Sequence, residues 1–342
     1  MRNKSVVITG GGTGGHLKVA DAFIEEFSKR GFSVIFIGSS NGQDSKWFEE
    51  DKRLKKAFFL DTKGVVNKGI VGKIKSISQI LSHINKCRSI FSKYKIKRVI
   101  SVGGYSAAPA SFTAILNGDC HLFIHEQNSL MGKLNKITSR FATEVYSSYE
   151  PNSAIKDYPV SDEFFDNARI RDELKTIIFL GGSQGAKAIN DFAMSIAKDL
   201  KKINIEIIHQ TGKDDYDRVK KFYDKENLEI DVFAFSKELA AKMNKADFAV
   251  SRAGASTLWE LCANSLPTLF IPYPYAAQDH QYTNAKFLEE KGLCYILREH
   301  ELSREKFIEI LKKDNYSVSK KLVDSIRYNA IESIVDDILE KS

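Results

Sequence analysis

The stretch SVVITGGGTGGH at residues 5–16 decides the fold class. A β-strand pattern leads directly into a glycine-rich turn, and a helical pattern follows over residues 17–30. The same order returns at residues 176–186, which read TIIFLGGSQGA. The other apolar runs are 33–38, 98–102 and 121–124 in the first half and 205–210, 248–251 and 268–271 in the second. Their alternation with helical patterns is typical of parallel sheets with crossover helices, so we predict two α/β units.

The length of the chain agrees with two domains. At 342 residues it exceeds the roughly 100–200 residues of a typical single domain. Residues 150–172 are polar, contain Pro151 and Pro159 and show no clear period, which indicates a linker. We predict domains over residues 1–155 and 156–318. A final helix over residues 319–342, with apolar residues at helical spacing, is predicted to pack back on the first domain.

The composition is that of a soluble or peripheral globular protein. The sequence has no run of 18 apolar residues, and the first strand pattern begins too early to leave room for a signal sequence. We therefore expect a cytoplasmic location. The four cysteines, at positions 87, 120, 262 and 294, lie far apart with no C-x-x-C pair. We expect reduced thiols in or near the cores.

Positive charge is concentrated in the first half of the chain. Of 51 Lys+Arg and 44 Asp+Glu, residues 1–150 hold 23 and 12, which leaves 28 and 32 for the remainder. Residues 52–98 carry 14 basic side chains and one acid, Asp61. This bias favours an anionic partner: a nucleic acid, an anionic lipid surface or a pyrophosphate.

Three loops in the first half follow predicted strands and carry polar groups. The first is the turn Gly10-Gly11-Gly12-Thr13-Gly14-Gly15-His16, the second is Gly103-Gly104-Tyr105 and the third is His125-Glu126-Gln127-Asn128. Each alone is equally consistent with a tight turn, a capped helix or a structural histidine. Carboxyl ends of parallel strands meet at one edge, so the three together favour a shared pocket.

Two further glycine-rich turns follow strands in the second half. Each of them leads into a helix whose N-terminal amides suit a phosphate. The two turns are residues 181–186, which include Ser183, and residues 251–257, which include Arg252, Ser256 and Thr257. Glu260 lies in the first turns of the second helix and can accept hydrogen bonds from ribose hydroxyls. The alternative is that it interacts only with the helix dipole.

These motifs, in this order and spacing, resemble those of the MurG family of glycosyltransferases. The motifs are GGTGGH, GGY, HEQN, GGSQGA, SRAGAS with Glu260, and HQ with NA at residues 280–285. The resemblance implies the GT-B fold, in which two Rossmann-like domains with parallel sheets face an interdomain cleft. It also implies an inverting hexosyltransferase that moves N-acetylglucosamine from UDP-N-acetylglucosamine to undecaprenyl-pyrophosphoryl-muramoyl-pentapeptide (lipid I). The product, lipid II, serves peptidoglycan and cell-wall synthesis.

The resemblance also assigns roles to residues. Donor contacts fall on Ser183, Arg252, Ser256, Thr257, Glu260, His280 and Gln281, on Phe235 and Ser236 near the uracil, and on Thr13, Gly14, Gly15 and Asn128. Acceptor contacts fall on Gly10, Gly11, Gly12 and Tyr105. His16 is predicted to remove the acceptor proton, with Glu126 as the rival base. Helix N-termini are predicted to stabilise departing UDP, so that neither metal nor cofactor is required.

The sequence departs from the family pattern at three places. Val19 stands where the family usually has proline, and the acid that usually precedes the HQ pair is shifted, giving Gln278-Asp279. The linker reads Tyr158-Pro159-Val160-Ser161 and lacks the usual arginine. A nucleotide or phosphate contact is thereby missing, for which Arg252 or another basic residue is the candidate replacement.

The basic segment gives a separate prediction about membranes. Residues 70–94 place Ile70, Ile74, Ile77, Leu81, Ile84 and Phe91 near one helical face, with basic residues around them. The segment is either a helix on an anionic membrane surface or a crossover helix with its basic side in solvent. Both agree with a peripheral enzyme at the cytoplasmic face of the membrane.

Other functions remain open on the sequence alone. They are a transferase of the same fold with another lipid acceptor, a UDP-N-acetylglucosamine 2-epimerase, and a non-catalytic nucleotide-binding protein at the membrane. Nucleic-acid binding is not expected, since no aromatic stacking motif is interleaved with the charge.

Overall fold

The structure is a computed structural model of the chain. It describes residues 4–62, 70–182 and 184–342, and for residues 70–80 the backbone only. The chain divides into two compact units, Met1–Pro159 together with Asn329–Ser342, and Val160–Tyr328. The predicted domain boundary, by comparison, lies between residues 155 and 156.

The first unit is a six-stranded parallel sheet with helices. Its strands are β1 Ser5–Thr9, β2 Ser33–Ser39, β3 Leu54–Leu60, β4 Arg98–Ser101, β5 His121–Glu126 and β6 Glu144–Ser147. Its first five helices are α1 Gly14–Lys29, α2 Asp44–Phe48, α3 Ile70–Tyr94, α4 Ala108–Leu116 and α5 Lys133–Thr138. The strand order β3-β2-β1-β4-β5-β6 changes direction at β1. Open sheets bind ligands at the carboxyl ends of the two strands on either side of such a change. Here these strands are β1 and β4, so the loops that follow them are where a ligand is expected.

Helix α3 covers one face of this sheet. Cys87, Ile90 and Phe91 pack against Val7 and Val99 in one buried cluster. Leu81, however, is 60% exposed, although its spacing assigns it to the same face. For residues 81–94 the crossover helix is therefore confirmed. The predicted face at Ile70, Ile74 and Ile77 lies outside the described side chains.

The second unit repeats the architecture. Its strands are β7 Thr176–Leu180, β8 Glu206–Gln210, β9 Asp231–Phe233, β10 Phe248–Ser251, β11 Thr268–Phe270 and β12 Tyr295–Ile296. Its helices are α6 Asp162–Asp166, α7 Lys187–Lys202, α8 Tyr216–Lys225, α9 Leu239–Lys245, α10 Ala255–Ala263, α11 His280–Glu289, α12 Arg304–Leu311 and α13 Asn315–Val323. The order β12-β11-β10-β7-β8-β9 is again parallel. Both predicted α/β units are thus confirmed.

The last segment is two helices and not one. Helix α13 ends at Val323, and a separate helix α14 spans Ala330–Glu340 after Asn329, whose φ of +61° is left-handed. Helix α14 packs on α1 of the first unit. In addition, Tyr146 of β6 donates from Oη to Asp337 of α14 at 2.7 Å. Apolar spacing continued across the break, which is why the sequence did not reveal it.

The predicted linker is more structured than its polar composition indicates. Tyr158, Val160 and Phe164 are buried, and α6 lies within the stretch. Arg171 is also buried, at 2% exposure. The predicted linker over residues 150–172 thus contains a helix and buried side chains in its second half.

Two further findings concern membrane-spanning helices and the state of the cysteines. No helix among the described residues is both long and apolar enough to span a bilayer. All four cysteines are free thiols, and three of them are buried while Cys120 is partly exposed. The expectation of reduced cysteines in or near the cores is confirmed.

Candidate active site

The first glycine-rich turn is built around a buried carboxylate. Asp44, at the start of α2, is fully buried and accepts hydrogen bonds from the N–H of Gly12 at 2.7 Å and of Ser39 at 2.8 Å. A Cβ on Gly11 would lie 2.6 Å from Asp44 Oδ1, so the carboxylate fills the space a side chain would need. Gly11 N–H donates to the Gly103 carbonyl at 3.1 Å. The N–H groups of Gly11 and Gly12 are therefore both bonded within the protein.

His16 lies in the first turn of α1, next to Thr13. Thr13 is the N-cap residue, but its side chain makes no capping bond to the helix. Its Oγ1 lies 2.7 Å from His16 Nδ1. When Nδ1–H donates to this hydroxyl, Nε2 carries the lone pair that a general base needs. Because a hydroxyl both donates and accepts, Thr13 holds the ring in this position without fixing its tautomer.

Tyr105 packs directly on the first turn. A Cβ on Gly12 would lie 3.0 Å from the Tyr105 ring, and Tyr105 Oη donates to the Asn41 carbonyl at 2.7 Å. The ring therefore joins the loops that follow β1, β2 and β4. These contacts bring Gly10, Gly11, Gly12 and Tyr105 together, as predicted from their positions after the strands.

Glu126 organises the loop after β5. It is 3% exposed and accepts from Asn128 N–H at 3.0 Å, Gly132 N–H at 2.9 Å and Asn135 Nδ2 at 2.9 Å. Three donors occupy three of the roughly four lone-pair sites of its carboxylate. One of them, Gly132, is the N-cap of α5. This geometry suits a residue that holds the loop more than one that removes a substrate proton.

A side-chain bond joins this loop to its neighbour at the same sheet edge. Gln127 Nε2 donates to the Val102 carbonyl at 2.8 Å, one residue before Gly103. His125 is fully buried below them, and its pKa is lowered to about 3 by burial and by the nearby charge of His16. The three predicted loops therefore meet in one place. Sequence reasoning missed Asp44 and Asn135, which support them.

The second unit has its own glycine-rich turn, at residues 181–186. Ser183 lies outside the described residues, so its predicted phosphate contact stays a prediction. Gly181 N–H donates to the Gln210 carbonyl at 3.0 Å, and a Cβ on Gly212 would lie 2.3 Å from Gly185 N. The turn thus packs backbone to backbone on the loop that follows β8.

A buried polar network supports that contact. Asn190 Nδ2 donates to the Thr211 carbonyl at 3.0 Å and to Asp215 Oδ2 at 2.7 Å. Asn190 Oδ1 must then accept from His209 Nε2 at 3.0 Å, so His209 Nδ1 accepts from Tyr223 Oη at 2.9 Å. Burial lowers the pKa of His209 to about 3, which keeps the ring neutral.

Helix α10 presents an open N-terminus. Apart from its own chain neighbours, no heavy atom of the described residues lies within 4 Å of a Cβ built on its N-cap residue, Gly254. Ser256 is buried, Thr257 is partly exposed, and Glu260 is 5% exposed in the second turn. The predicted contacts of Ser256 and Thr257 with phosphate and of Glu260 with ribose agree with this placement and stay predictions.

The Arg252 side chain already has several bonding partners within the second unit. Its guanidinium donates to the carbonyls of Ile271 at 3.0 Å and Pro272 at 3.3 Å, and it forms an ion pair with Glu299. It also lies over the ring of Tyr273. A phosphate contact that replaces the missing linker arginine would compete with these partners, and it stays a prediction.

The loops after β9 and β11 hold the remaining predicted donor residues. Phe235 is 57% exposed, and Ser236 Oγ accepts from Glu238 N–H at 3.0 Å. His280 Nδ1 donates to the Ala277 carbonyl at 2.8 Å, and Gln281 Oε1 accepts from Tyr273 N–H at 3.0 Å. These bonds fix the turn that begins α11.

Two consecutive left-handed residues precede His280. Gln278 and Asp279 have φ values of +56° and +55°, a conformation that costs non-glycine residues free energy. Asp279 is held by Arg298 at 2.7 Å. Such strain persists where surrounding contacts impose it and is frequent at binding sites.

Comparison with known proteins identifies the family. Residues 6–147 match the glycosyltransferase family 28 N-terminal domain, and residues 176–336 match the family 28 C-terminal domain. A Campylobacter jejuni protein is 51% identical over 336 residues, which is 98% of this chain and 97% of that protein. Its name is UDP-N-acetylglucosamine--N-acetylmuramyl-(pentapeptide) pyrophosphoryl-undecaprenol N-acetylglucosamine transferase. The chain belongs to the MurG family.

Two other MurG proteins agree with this result. The Wolinella succinogenes transferase of the same name is 48% identical and covers 98% of this chain and 99% of its own. The crystal structure of Acinetobacter baumannii MurG superposes with a TM-score of 0.83 at 27% identity, covering 98% and 99% of the two chains. The predicted resemblance and the GT-B fold class are thus confirmed, and the chain is a glycosyltransferase.

Proposed function

We propose that the chain transfers N-acetylglucosamine from UDP-N-acetylglucosamine to undecaprenyl-pyrophosphoryl-N-acetylmuramyl-pentapeptide, which gives lipid II for peptidoglycan synthesis. The observation that carries this proposal is the identity of about half of all residues, over nearly the full length, with transferases of that name. The two sets of loops at the carboxyl ends of the sheets support it. We assign to them the two binding functions that a sugar transfer requires.

The second unit is the proposed donor site. The open N-terminus of α10 suits the pyrophosphate, together with Ser256 and Thr257. Glu260 suits the ribose, Phe235 has the exposed ring that a uracil needs, and His280 and Gln281 suit the sugar hydroxyls. The proposed donor contacts of Thr13, Gly14, Gly15 and Asn128 belong to the first unit. No described contact of theirs distinguishes donor from acceptor.

The first unit is the proposed acceptor site, with His16 as general base. As the acceptor hydroxyl attacks the anomeric carbon, its proton passes to His16 Nε2, the C–O bond to UDP breaks, and the configuration inverts. We prefer His16 over Glu126 because three hydrogen bonds already occupy the carboxylate. The charge that develops on UDP is stabilised by helix-terminal amides.

An exposed apolar and basic surface of the first unit is the proposed membrane contact. Leu81, Leu116, Ile137 and Phe141 are between 55% and 63% exposed on α3, α4, α5 and the turn after it. Helix α4 packs on both α3 and α5. Lys86, Arg88, Lys133, Lys136 and Arg140 on the same elements are exposed. This combination suits binding at the anionic, cytoplasmic face of a membrane.

Site variants test the function and its assignments together. With labelled UDP-N-acetylglucosamine and a lipid-linked or short-chain muramyl-pentapeptide, we expect His16→Ala to lower kcat by about 10²–10⁴-fold. Glu260→Ala should raise the KM for donor by about tenfold or more, since it loses hydrogen bonds to a charged group. His121→Ala and Glu309→Ala, which lie away from both sites, are the matched controls.

The alternatives predict different results in the same assay. An epimerase consumes UDP-N-acetylglucosamine without any acceptor, and a non-catalytic binding protein consumes none. Rates unchanged in both His16→Ala and Glu260→Ala would refute the site assignment even if transfer occurs.

A further inference from the structure

Asn135 presents a buried hydrogen-bond acceptor, Oδ1, to which none of the described residues donates. The residue lies in α5, is 3% exposed, and donates from Nδ2 to Glu126 Oε2 at 2.9 Å. A carboxylate only accepts, so this bond fixes which amide atom faces Glu126. Among the described residues no donor reaches Asn135 Oδ1. An unpaired buried acceptor destabilises the folded state, and such atoms are uncommon without a functional reason.

The free oxygen lies beside the proposed base. A Cβ built on Gly103 would lie 3.4 Å from His16 Nε2, 3.0 Å from Asn135 Nδ2 and 3.5 Å from Asn135 Oδ1. The space above Gly103 is therefore bordered by the base nitrogen on one side and the Asn135 amide on the other. Gly103 has a φ of +85°, which other residues rarely adopt. A side chain is thereby kept out of that space.

The surroundings hold this arrangement in place. Gly103 accepts from Gly11 N–H at 3.1 Å, and Val102 accepts from Gln127 Nε2 at 2.8 Å. Glu126 is fixed by two backbone amides besides Asn135. A site whose donors and acceptors are fixed before the substrate binds loses little free energy in ordering them.

The chemistry of the acceptor limits what can donate to Asn135. In a lipid-linked N-acetylmuramyl-pentapeptide the anomeric oxygen carries the pyrophosphate, the lactyl ether carries the peptide and the acetamido group replaces a third hydroxyl. Two hydroxyls remain on the sugar, one on a ring carbon and one on the exocyclic CH₂OH group. One attacks the donor and gives its proton to the base, which leaves the other to form a hydrogen bond.

We propose that Asn135 Oδ1 accepts a hydrogen bond from the second, non-attacking hydroxyl of the muramyl residue while His16 Nε2 faces the attacking one. Asn135 is then an acceptor-binding residue that orients the sugar for transfer, and Glu126 is the positioning residue that sets its amide. This inference rests on the proposed function and adds to it the group by which the sugar is recognised.

A cycle of enzyme and substrate changes tests the inference. The wild type and Asn135→Ala are each assayed with the normal acceptor and with an analogue in which the non-attacking hydroxyl is replaced by hydrogen. For the wild type we expect kcat/KM for the acceptor to fall about tenfold with the deoxy analogue. For Asn135→Ala the two acceptors should differ by less than about twofold, because the partner of the hydroxyl is already gone.

Controls separate the possible failures. Asn117→Ala, at the exposed end of α4, should keep the wild-type ratio between the acceptors, and UDP affinity checks that Asn135→Ala is folded. Equal losses in wild type and Asn135→Ala would overturn the inference. A wild type whose kcat/KM is the same for the normal acceptor and the deoxy analogue would also overturn it, and that measurement needs no variant. No transfer of the normal acceptor by the wild type would instead overturn the proposed function and this inference with it.

Discussion

Gly12 and Asp44 are joined by a hydrogen bond across 32 residues of sequence, from the Gly12 N–H to Asp44 Oδ1 at 2.7 Å. The carboxylate is fully buried and also accepts from Ser39 N–H. It therefore holds the loops after β1 and β2 together. The glycine-rich turn of the first unit is therefore shaped by an internal anion, and the N–H groups of Gly11 and Gly12 are bonded within the protein.

The first prediction concerns Asp44. In Asp44→Asn an amide N–H₂ faces one of the two backbone N–H groups, so one hydrogen bond is replaced by repulsion. We expect turnover to fall about tenfold or more, with a smaller change in UDP affinity. Steady-state kinetics and UDP titration measure both. Asp119→Asn, an exposed ion-pair partner of Lys97, is the control and should behave as wild type.

The second prediction concerns acid stability. Burial lowers the pKa of His209 from 6.5 to about 3, so between these pH values the unfolded state binds more protons than the folded state. The stabilisation is fully present above about pH 6.5 and is lost as the pH falls toward 3. We expect the free energy of unfolding to depend less on pH in His209→Leu than in wild type between pH 7.5 and 5. Parallel curves for the two proteins would contradict this prediction.

The third prediction concerns Arg171, a buried residue that the sequence did not single out. Its guanidinium donates to the carbonyls of Ala246 and Met243 at 3.2 Å each and to Asn264 Oδ1 at 2.6 Å. Burial lowers its pKa to about 9. Arg171→Met leaves these acceptors unpaired and should lower the free energy of unfolding by about 3 kcal/mol or more.

Denaturant unfolding of Arg171→Met beside Arg304→Met measures this difference. Arg304 is exposed and forms a surface ion pair with Asp199, so its replacement should change stability by less than about 1 kcal/mol. A similar loss in both variants would show that the carbonyl contacts of Arg171 carry no special weight.

The fourth prediction concerns membrane binding. Phe141→Ser removes a 63% exposed aromatic ring from the proposed membrane contact. We expect its affinity for vesicles that contain anionic lipid to fall about tenfold, and binding of the wild type to weaken as salt is raised. Ile203→Ser is the matched control, because Ile203 is 64% exposed on the second unit. Equal affinity of Phe141→Ser and wild type would refute the proposed contact surface.

The sequence predicted the central strands of both sheets but not their edges. The runs at residues 5–9, 176–180 and 248–251 match β1, β7 and β10 to the residue. The four strands that no apolar run indicated are β3, β6, β9 and β12, and each lies at an edge of its sheet. An edge strand has one neighbour and buries fewer side chains, so its apolar pattern is weaker.

For the site, the sequence identified loops and missed their supports. Glycine-rich turns after strands are visible as local patterns, and so were the positions of His16, Tyr105 and Glu126. Asp44 and Asn135 act through contacts with residues distant in sequence, and a single carboxylate or amide in a polar stretch gives no local sign of burial. Glu126 was expected near the reacting centre, but its three hydrogen-bond partners became visible only in the structure. The predicted interdomain cleft stays a prediction.

The most direct test of the account follows the sugar from donor to product. Purified wild-type protein is incubated with UDP-N-acetylglucosamine labelled in the sugar and with the lipid-linked muramyl-pentapeptide, and both products are quantified. We predict one labelled disaccharide lipid for each UDP released, and no release without acceptor. Release of UDP or isomerised sugar without acceptor, or an acceptor that stays unlabelled, would contradict the account.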